Sequence, residues 1–139
     1  MQKRYYFDTA IWRDYYENRD DGIRPLGEFA LQAIYAILRN HDFILYSKVV
    51  EDELKKEYDS RQITEIFSIA KEKQGLIKVD VKYNQRKIAR KLCQMHDVPF
   101  SDALHAVLAR DNHAVLITRD HHFERLVDIT QVTNPESLI

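Results

Sequence analysis

The stretch RYYFDTAIWRDYY, residues 4–16, joins a short apolar strand directly to an amphipathic helix. Residues 4–7 are apolar enough for a buried strand, which ends at Asp8. Ile11, Trp12 and Tyr15 then recur at helical spacing. A strand that runs into a helix without a linker is the opening of a β–α–β unit, so this stretch predicts an α/β fold.

The same alternation continues along the chain. Further strands are predicted at 43–46, 76–81, 114–117 and 129–132. Apolar residues at helical spacing predict helices at 26–38, 50–58, 63–70, 88–95, 104–108 and 122–126. Ser47 and Ser101 are predicted to cap two of these helices. Short strands that alternate with helices predict a three-layer α/β/α sandwich with a central parallel sheet of about five strands.

Composition limits the possible classes of protein. The 139 residues suit a single domain spanning 1–139, with 45% hydrophobic and 31% charged residues. The formal net charge of −1 gives no general basic field for nucleic acid, and the single cysteine, Cys93, excludes an internal disulfide. No apolar run approaches the ~18 residues of a membrane span, and the start does not resemble a signal peptide. We therefore expect a cytoplasmic protein with no membrane contact.

Four acids are expected at one edge of the sheet. Asp8 follows the first strand and Asp120 follows the fourth, whereas Glu53 and Asp102 lie in helices next to the second and fourth strands. Ligands of open α/β sheets bind outside the carboxyl ends of the strands. Considered alone, Asp102 is explained by its favourable interaction with the dipole of its helix. Glu53 is explained by a position on a solvent-exposed helix face. Asp8 and Asp120 are less easily explained, because an acid at the end of a buried strand is poorly solvated.

Such a cluster has a simple chemical use. Four nearby anions repel one another, and a divalent cation relieves that repulsion. Oxygen ligands with open positions suit Mg²⁺ or Mn²⁺, which can activate water for phosphodiester hydrolysis. The chain has no glycine-rich phosphate loop, so the pattern favours metal-dependent phosphoryl hydrolysis over a nucleotide-cofactor enzyme.

Four motifs in order resemble the PIN-domain family of nucleases. FDTAIW at 7–12 is similar to the first motif, and SKVVEDEL at 47–54 to the second, an alignment that selects Glu53. PFSDALHAVLA at 99–109 resembles the third motif, and AVLITRDHHF at 114–123 the fourth. Together the motifs cover nearly the whole chain.

The resemblance implies a Mg²⁺- or Mn²⁺-dependent ribonuclease on a three-layer sandwich. Many members are toxins of VapBC-type toxin–antitoxin pairs and form homodimers, so it also implies an RNA substrate, an antitoxin partner and a homodimer. The implied metal ligands, which are also catalytic, are Asp8, Glu53, Asp102 and Asp120. Thr118 would orient the carboxylates or a water through its hydroxyl, and Thr9 or Ser101 would act similarly.

The chain departs from the family pattern at several positions. His122 stands where many members carry a further acid, and Ala10 stands where polar residues are common. The loop NRDDGIRP, residues 18–25, lengthens the segment before the second strand, which leaves open a protein without a dedicated antitoxin. The alternative function is a weakly active or inactive PIN-fold module that binds RNA or a protein partner.

Other readings of the polar residues have less support. Arg86, Arg90 and Arg119 are candidates for phosphate contact, although a solvated helix face also explains the first two. His105 is expected to pack against the sheet, with substrate contact as the alternative. A phosphatase of the haloacid type needs an Asp where Ala10 stands, and a receiver domain needs an Asp ending the third strand, for which Asp80 is a poor fit.

Overall fold

A computed structural model describes residues 2–139 and contains one parallel sheet of five strands in the order β3-β2-β1-β4-β5. The strands are β1 Arg4–Phe7, β2 Phe43–Ser47, β3 Leu76–Val79, β4 Val115–Ile117 and β5 Val132–Thr133. The helices are α1 Thr9–Glu17, α2 Leu26–Arg39, α3 Lys48–Leu54, α4 Ser60–Glu72, α5 Tyr83–His96 and α6 Phe100–Asp111. Short 3-10 helices span His121–Leu126 and Pro135–Leu138. The predicted α/β/α sandwich with a five-stranded parallel sheet is confirmed.

The centre of the sheet is β1, which is why the opening stretch is so apolar. Tyr5 lies opposite Ile44 of β2 on one side and Val115 of β4 on the other. The chain runs outward from β1 through β2 to β3 and then returns to β4 on the opposite side of β1. The strand order therefore reverses between β1 and β4, and the carboxyl ends of these two strands border the crevice where such sheets bind ligands.

The direction of the crossovers determines which face each helix covers. Crossovers between parallel strands are right-handed, so α1 to α4 cover one face and α5 with α6 cover the other. In agreement, α1 packs against α2, and α5 packs against α6. Within the core, the fully buried ring of Trp12 lies 5.3 Å from Phe7 and 4.9 Å, edge-on, from Phe67. The aromatic residues of the opening stretch thus join β1 to its helical layer.

Two predicted helix caps differ in the structure. Ser47 occupies the cap position of α3, but its side chain makes no capping bond, and α3 ends at Leu54 rather than Tyr58. The cap predicted at Ser101 is wrong, because Pro99 already holds the cap position of α6 and Phe100 is helical. Ser101 therefore lies inside the first turn of α6, and no side chain caps this helix.

Several strand ends also shift. β3 stops at Val79 rather than residue 81, because its partner strand β2 ends at Ser47 and provides no further pairing. The last strand is Val132–Thr133 rather than 129–132, because the amides of Ile129 and Thr130 donate to the Leu126 carbonyl in a turn. The predicted helix at 122–126 is a 3-10 helix that begins at His121.

Among residues 2–139, no helix has the length and apolarity that crossing a membrane requires.

Gly27 allows α2 to approach the end of α1 closely, and its replacement by alanine should destabilise the protein. A Cβ atom there would lie 2.4 Å from the Cα of Asn18 and 2.6 Å from the Asp14 carbonyl oxygen, both backbone atoms. We expect Gly27→Ala to lower the free energy of unfolding by about 1–3 kcal/mol in urea denaturation, because the two helices must separate. In the control Gly75→Ala, the added methyl meets mainly the end of the flexible Leu38 side chain. Equal losses of unfolding free energy in Gly27→Ala and Gly75→Ala would contradict a close backbone approach at Gly27.

Candidate active site

Asp8 lies at the carboxyl end of the central strand and is almost fully buried. It caps α1: one carboxylate oxygen, Oδ1, accepts a hydrogen bond from the Ile11 amide at 3.3 Å. The other oxygen, Oδ2, accepts a hydrogen bond from the hydroxyl of Thr118. The Asp8 amide in turn donates to the Ile117 carbonyl at 3.1 Å. The acid is therefore held at the junction of β1 and β4.

Thr118 connects this acid to the next one. Its hydroxyl accepts a hydrogen bond from the Asp120 amide at 3.0 Å while donating to Asp8. Asp120 caps the 3-10 helix, and its Oδ1 accepts from the His122 amide at 2.9 Å. The threonine thus fixes the spacing of the two strand-end acids, which is the kind of role that the resemblance implies for it.

Glu53 reaches the same edge from α3, where its Oε1 lies 2.7 Å from Nε2 of His105. The other ring nitrogen of His105, Nδ1, lies 2.7 Å from the hydroxyl of Tyr6, and that hydroxyl lies 2.7 Å from Oγ of Ser47. All three groups behind Glu53 are buried. They form a polar chain that runs from the sheet to one carboxylate oxygen of the cleft.

One arrangement of protons satisfies every contact in this polar chain. An ionised carboxylate only accepts hydrogen bonds, so Nε2 of His105 must carry the proton that is donated to Glu53. When Nδ1 carries no proton, it accepts from the Tyr6 hydroxyl, and Tyr6 accepts from Ser47. Burial raises the pKa of Tyr6, which keeps the phenol protonated and able to donate. His105, expected to pack against the sheet, therefore also orients Glu53.

Asp102 lies in the first turn of α6, as predicted, with a side chain that is 14% exposed. Its Oδ2 lies 3.1 Å from Nδ1 of His122, and the same nitrogen lies 3.0 Å from Oδ1 of Asp120. The imidazole therefore bridges the acids of the third and fourth motifs. This contact joins a helix on one face of the sheet to the turn that follows β4.

The four predicted acids line one cleft of about 130 Å³. Its lining residues are Asp8, Thr9, Ala10, Arg13, Glu53, Asp102, His105 and Asp120. The predicted convergence of the acids at one edge of the sheet is thus what the structure shows.

Other predicted site residues lie outside the cleft. The guanidinium of Arg119 is 15% exposed and forms an ion pair with Glu136. Arg90 stacks over the ring of Phe100, 5.8 Å from its centroid, while Arg86 is half-buried on the same helix. Ser101 is half-buried in the first turn of α6 and is not among the cleft-lining residues.

The buried carboxyl groups have shifted pKa values. Burial raises the pKa of Asp8, although the Thr118 hydrogen bond works in the opposite direction. Burial and the adjacent charge of Asp120 raise the pKa of Asp102 to about 6. Burial also acts to raise the pKa of Glu53, but the hydrogen bond from His105 and the nearby charge of Arg13 act in the opposite direction, and this pKa is lowered. The cleft is thus under electrostatic strain that a cation would relieve.

Sequence reasoning missed two polar contributors. Arg13 lines the cleft and directs Nη2 to the Glu53 carbonyl at 3.4 Å. A usable signal was its position four residues after Thr9, which places both on one face of α1. The bridging position of His122 had no local signal, because neighbouring histidines alternate in direction and their targets lie elsewhere in the chain.

The donor set suits a divalent cation. Among residues 2–139, one group has ligand atoms that all lie within 4.8 Å of one another: Asp102, Asp120 and His122. Asp8 and Glu53 line the same cleft outside that group. Carboxylate oxygens are the ligands that Mg²⁺ and Mn²⁺ prefer, and the buried hydroxyl of Thr9 has no hydrogen-bond partner among the described residues. The residues present therefore fit such an ion.

The metal-free protein should become less stable as the pH rises through the range in which Asp102 ionises. Because the pKa of Asp102 is raised from 3.8 to about 6, the folded state holds this proton more tightly than the unfolded state does. The free energy of unfolding in EDTA should therefore fall between about pH 4 and about pH 6. Urea denaturation across this range measures the slope, and Asp102→Asn should flatten it. If Asp102→Asn kept the wild-type slope of unfolding free energy against pH, Asp102 would not be the group responsible for it.

Fold and site together define an open α/β protein with a carboxylate cluster at its switch point. The PIN domain family profile matches residues 5–129, and the chain belongs to that family. PIN domains are generally nucleases, which supports a hydrolase that acts on nucleic acid. The expected family is confirmed. No curated protein matches the sequence.

Solved structures show the same fold. VapBC2 from Rickettsia felis, bound to a DNA fragment from its promoter, is 18% identical, with a TM-score of 0.67 and coverage of 94% of this chain and 98% of that chain. A toxin–antitoxin complex from Klebsiella pneumoniae is 19% identical, with a TM-score of 0.63 and coverage of 94% and 97%. FitAcB from Neisseria gonorrhoeae is 14% identical, with a TM-score of 0.57 and coverage of 94% and 96%. At these identities the likeness establishes the fold.

Proposed function

We propose that the protein is a Mg²⁺- or Mn²⁺-dependent endoribonuclease that hydrolyses RNA phosphodiester bonds. The observation that carries the proposal is the convergence of Asp8, Glu53, Asp102 and Asp120 on one cleft at the switch point of the sheet. Membership of the PIN domain family supports nucleic acid as the substrate. The choice of RNA and of these ions rests on the motif resemblance and on the oxygen-rich donor set.

The proposed ligands are Asp8, Glu53, Asp102 and Asp120. A divalent cation bound among them would supply a nucleophilic hydroxide and charge stabilisation for in-line displacement at phosphorus. Thr118 keeps the Asp8 carboxylate directed toward Asp120, because its hydroxyl bonds to the side chain of one and the amide of the other. Positioned groups of this kind lower the barrier by holding the reacting atoms in a productive geometry.

Basic side chains near the cleft provide phosphate contacts. Arg13 is the closest, because it lines the cleft beside Glu53. Arg86 and Arg90 lie on α5, and Arg90 stacks on Phe100 at the start of the helix that carries Asp102. Such contacts position the RNA backbone without reading its sequence. Thr9 and Ser101 would add hydroxyl contacts, whereas the ion pair of Arg119 with Glu136 favours a structural role for that arginine.

We further propose that the chain is the toxin of a toxin–antitoxin pair and forms a homodimer in the cytoplasm. Two of the structural neighbours are described as VapBC2 and as a toxin–antitoxin complex, each covered almost over its full length. Co-expression with the product of the adjacent gene, followed by gel filtration, tests both the partner and the oligomeric state. A chain that elutes alone as a monomer would overturn this part of the proposal.

The function is tested by incubating the purified chain with single-stranded RNA and with DNA of the same sequence. We expect RNA cleavage that requires Mg²⁺ or Mn²⁺, stops in EDTA and resumes when the ion is restored. Mn²⁺ should also raise the melting temperature, since an ion that binds the folded state stabilises it. A protein that neither cuts RNA nor gains stability from Mn²⁺ would be the inactive binding module instead.

A further inference from the structure

His122 lies between two of the proposed ligands in a geometry that its sequence position does not suggest. Its Nδ1 atom is 3.1 Å from Oδ2 of Asp102 and 3.0 Å from Oδ1 of Asp120. The His122 side chain is 49% exposed. The neighbouring His121 is 91% exposed and lies beside Glu124 instead. Only the second histidine of the pair is directed at the carboxylates.

The spacing of these three atoms matches adjacent ligand positions around one ion. Ligands held ~2.1 Å from an octahedral cation lie about 3 Å apart when they occupy neighbouring positions. The two nitrogen–oxygen distances have this length, and all three atoms lie within 4.8 Å of one another. The backbone also holds the turn, because the His122 amide donates to Asp120 at 2.9 Å. The imidazole is therefore placed to share an ion with both acids.

A nitrogen ligand changes which ion the site prefers. Mg²⁺ is a hard cation that binds oxygen ligands, whereas imidazole suits first-row transition metals. A further carboxylate at position 122, as in many PIN domains, would keep the site all-oxygen. The histidine instead creates a mixed site of two carboxylates and one imidazole.

We propose that His122 supplies a nitrogen ligand, Nδ1, to a divalent cation shared with Asp102 and Asp120, and that it shifts the preference of the site from Mg²⁺ toward transition ions such as Mn²⁺. This inference rests on the proposed function for the role of the two acids. It assigns to this chain a ligand that the four-carboxylate scheme lacks. The single N–H proton of the neutral ring then resides on Nε2, as ligation through Nδ1 requires.

The test is electron spin-echo spectroscopy of Mn²⁺ bound to the full chain, which detects coupling to a ligated imidazole nitrogen. We expect this coupling in the wild-type protein and in the control variant His121→Asn, and its loss in His122→Asp and His122→Asn. The second variant is neutral, so it keeps the test usable if the extra acid of His122→Asp prevents folding. In parallel, calorimetry should show that the ratio of Mn²⁺ to Mg²⁺ affinity falls about tenfold in His122→Asp.

The outcomes separate this inference from the proposed function. Bound Mn²⁺ without nitrogen coupling in the wild-type protein, or an unchanged affinity ratio in His122→Asp, would overturn the histidine ligand while leaving RNA cleavage intact. Nitrogen coupling that is lost with His122, in a chain that cuts no RNA, would support the ligand and overturn the nuclease. Coupling that persists in both His122 variants would also overturn the inference, since the nitrogen would come from another residue such as His105.

Discussion

Replacing Asp8 with asparagine should lower metal-dependent RNA cleavage by about 10³-fold while leaving the protein folded. The substitution removes a charged oxygen ligand from the cleft, and transition-state stabilisation by a metal is worth several kcal/mol, or roughly three powers of ten in rate. Single-turnover cleavage of a labelled RNA at saturating Mn²⁺ measures the loss. Cleavage at the wild-type rate would remove Asp8 from the proposed site.

The fold should tolerate this change for identifiable reasons. Asparagine caps helices about as well as aspartate, so the bond to the Ile11 amide has a substitute. Burial raises the pKa of Asp8, which means that the folded protein disfavours the ionised form, and a neutral amide removes that cost. The melting temperature of Asp8→Asn should therefore equal or exceed that of the wild type. Asp52→Asn, at an exposed acid paired with Lys48 outside the cleft, is the control and should retain full activity.

Replacing His105 with leucine should reduce both stability and activity. The change removes the His105 contact from the buried Tyr6 hydroxyl, which keeps Ser47, and from the partly exposed Glu53 carboxylate. Leaving a buried polar group without a partner costs about 1–3 kcal/mol. We expect a loss of that order in urea denaturation and a roughly 10–100-fold fall in cleavage rate, comparable to removing a group that orients a metal ligand. His105→Gln, which retains a donor and an acceptor, should recover part of both losses.

A double-mutant cycle distinguishes positioning from a general loss of structure. If His105 acts through Glu53, His105→Leu should have little further effect on cleavage in a Glu53→Gln background. It should still lower stability there, because Tyr6 loses its hydrogen bond to His105 in either background. Additive effects of the two substitutions on cleavage would contradict the positioning role.

Much of the site could be anticipated because its acids follow strands. Asp8 comes directly after one apolar run, Asp120 follows another after two polar residues, and parallel strands bring their carboxyl ends to one edge. Strand ends alone could not identify Glu53 and Asp102, because packing decides whether a helix residue faces the sheet edge or the solvent. Their selection depended on the order of the four motifs, and the cleft does contain all four acids.

The cap predicted at Ser101 and the phosphate role considered for Arg119 show the limits of local reasoning. A serine before an apolar helix is a good cap signal, but the helix begins at Phe100 and its cap position is held by Pro99, two residues before Ser101. An arginine between two polar residues beside an acidic cluster suggests a phosphate contact. Its partner Glu136 lies 17 residues further along the chain, beyond the last strand. No residue close to Arg119 in the sequence predicts this ion pair.

The sequence alone determined the order of strands and helices, the parallel sheet and the position of acids at its edge. The strands, helices and parallel sheet follow from the period of apolar residues, which is a local property, and the acids follow from the strand ends and the order of the motifs. The tertiary structure alone decided the partners of the histidines. His105 contacts Glu53 across 52 residues and Tyr6 across 99, and His122 contacts Asp102 across 20. Periodicity indicates which face a side chain occupies, but packing of the layers sets which groups from distant segments come within hydrogen-bonding distance.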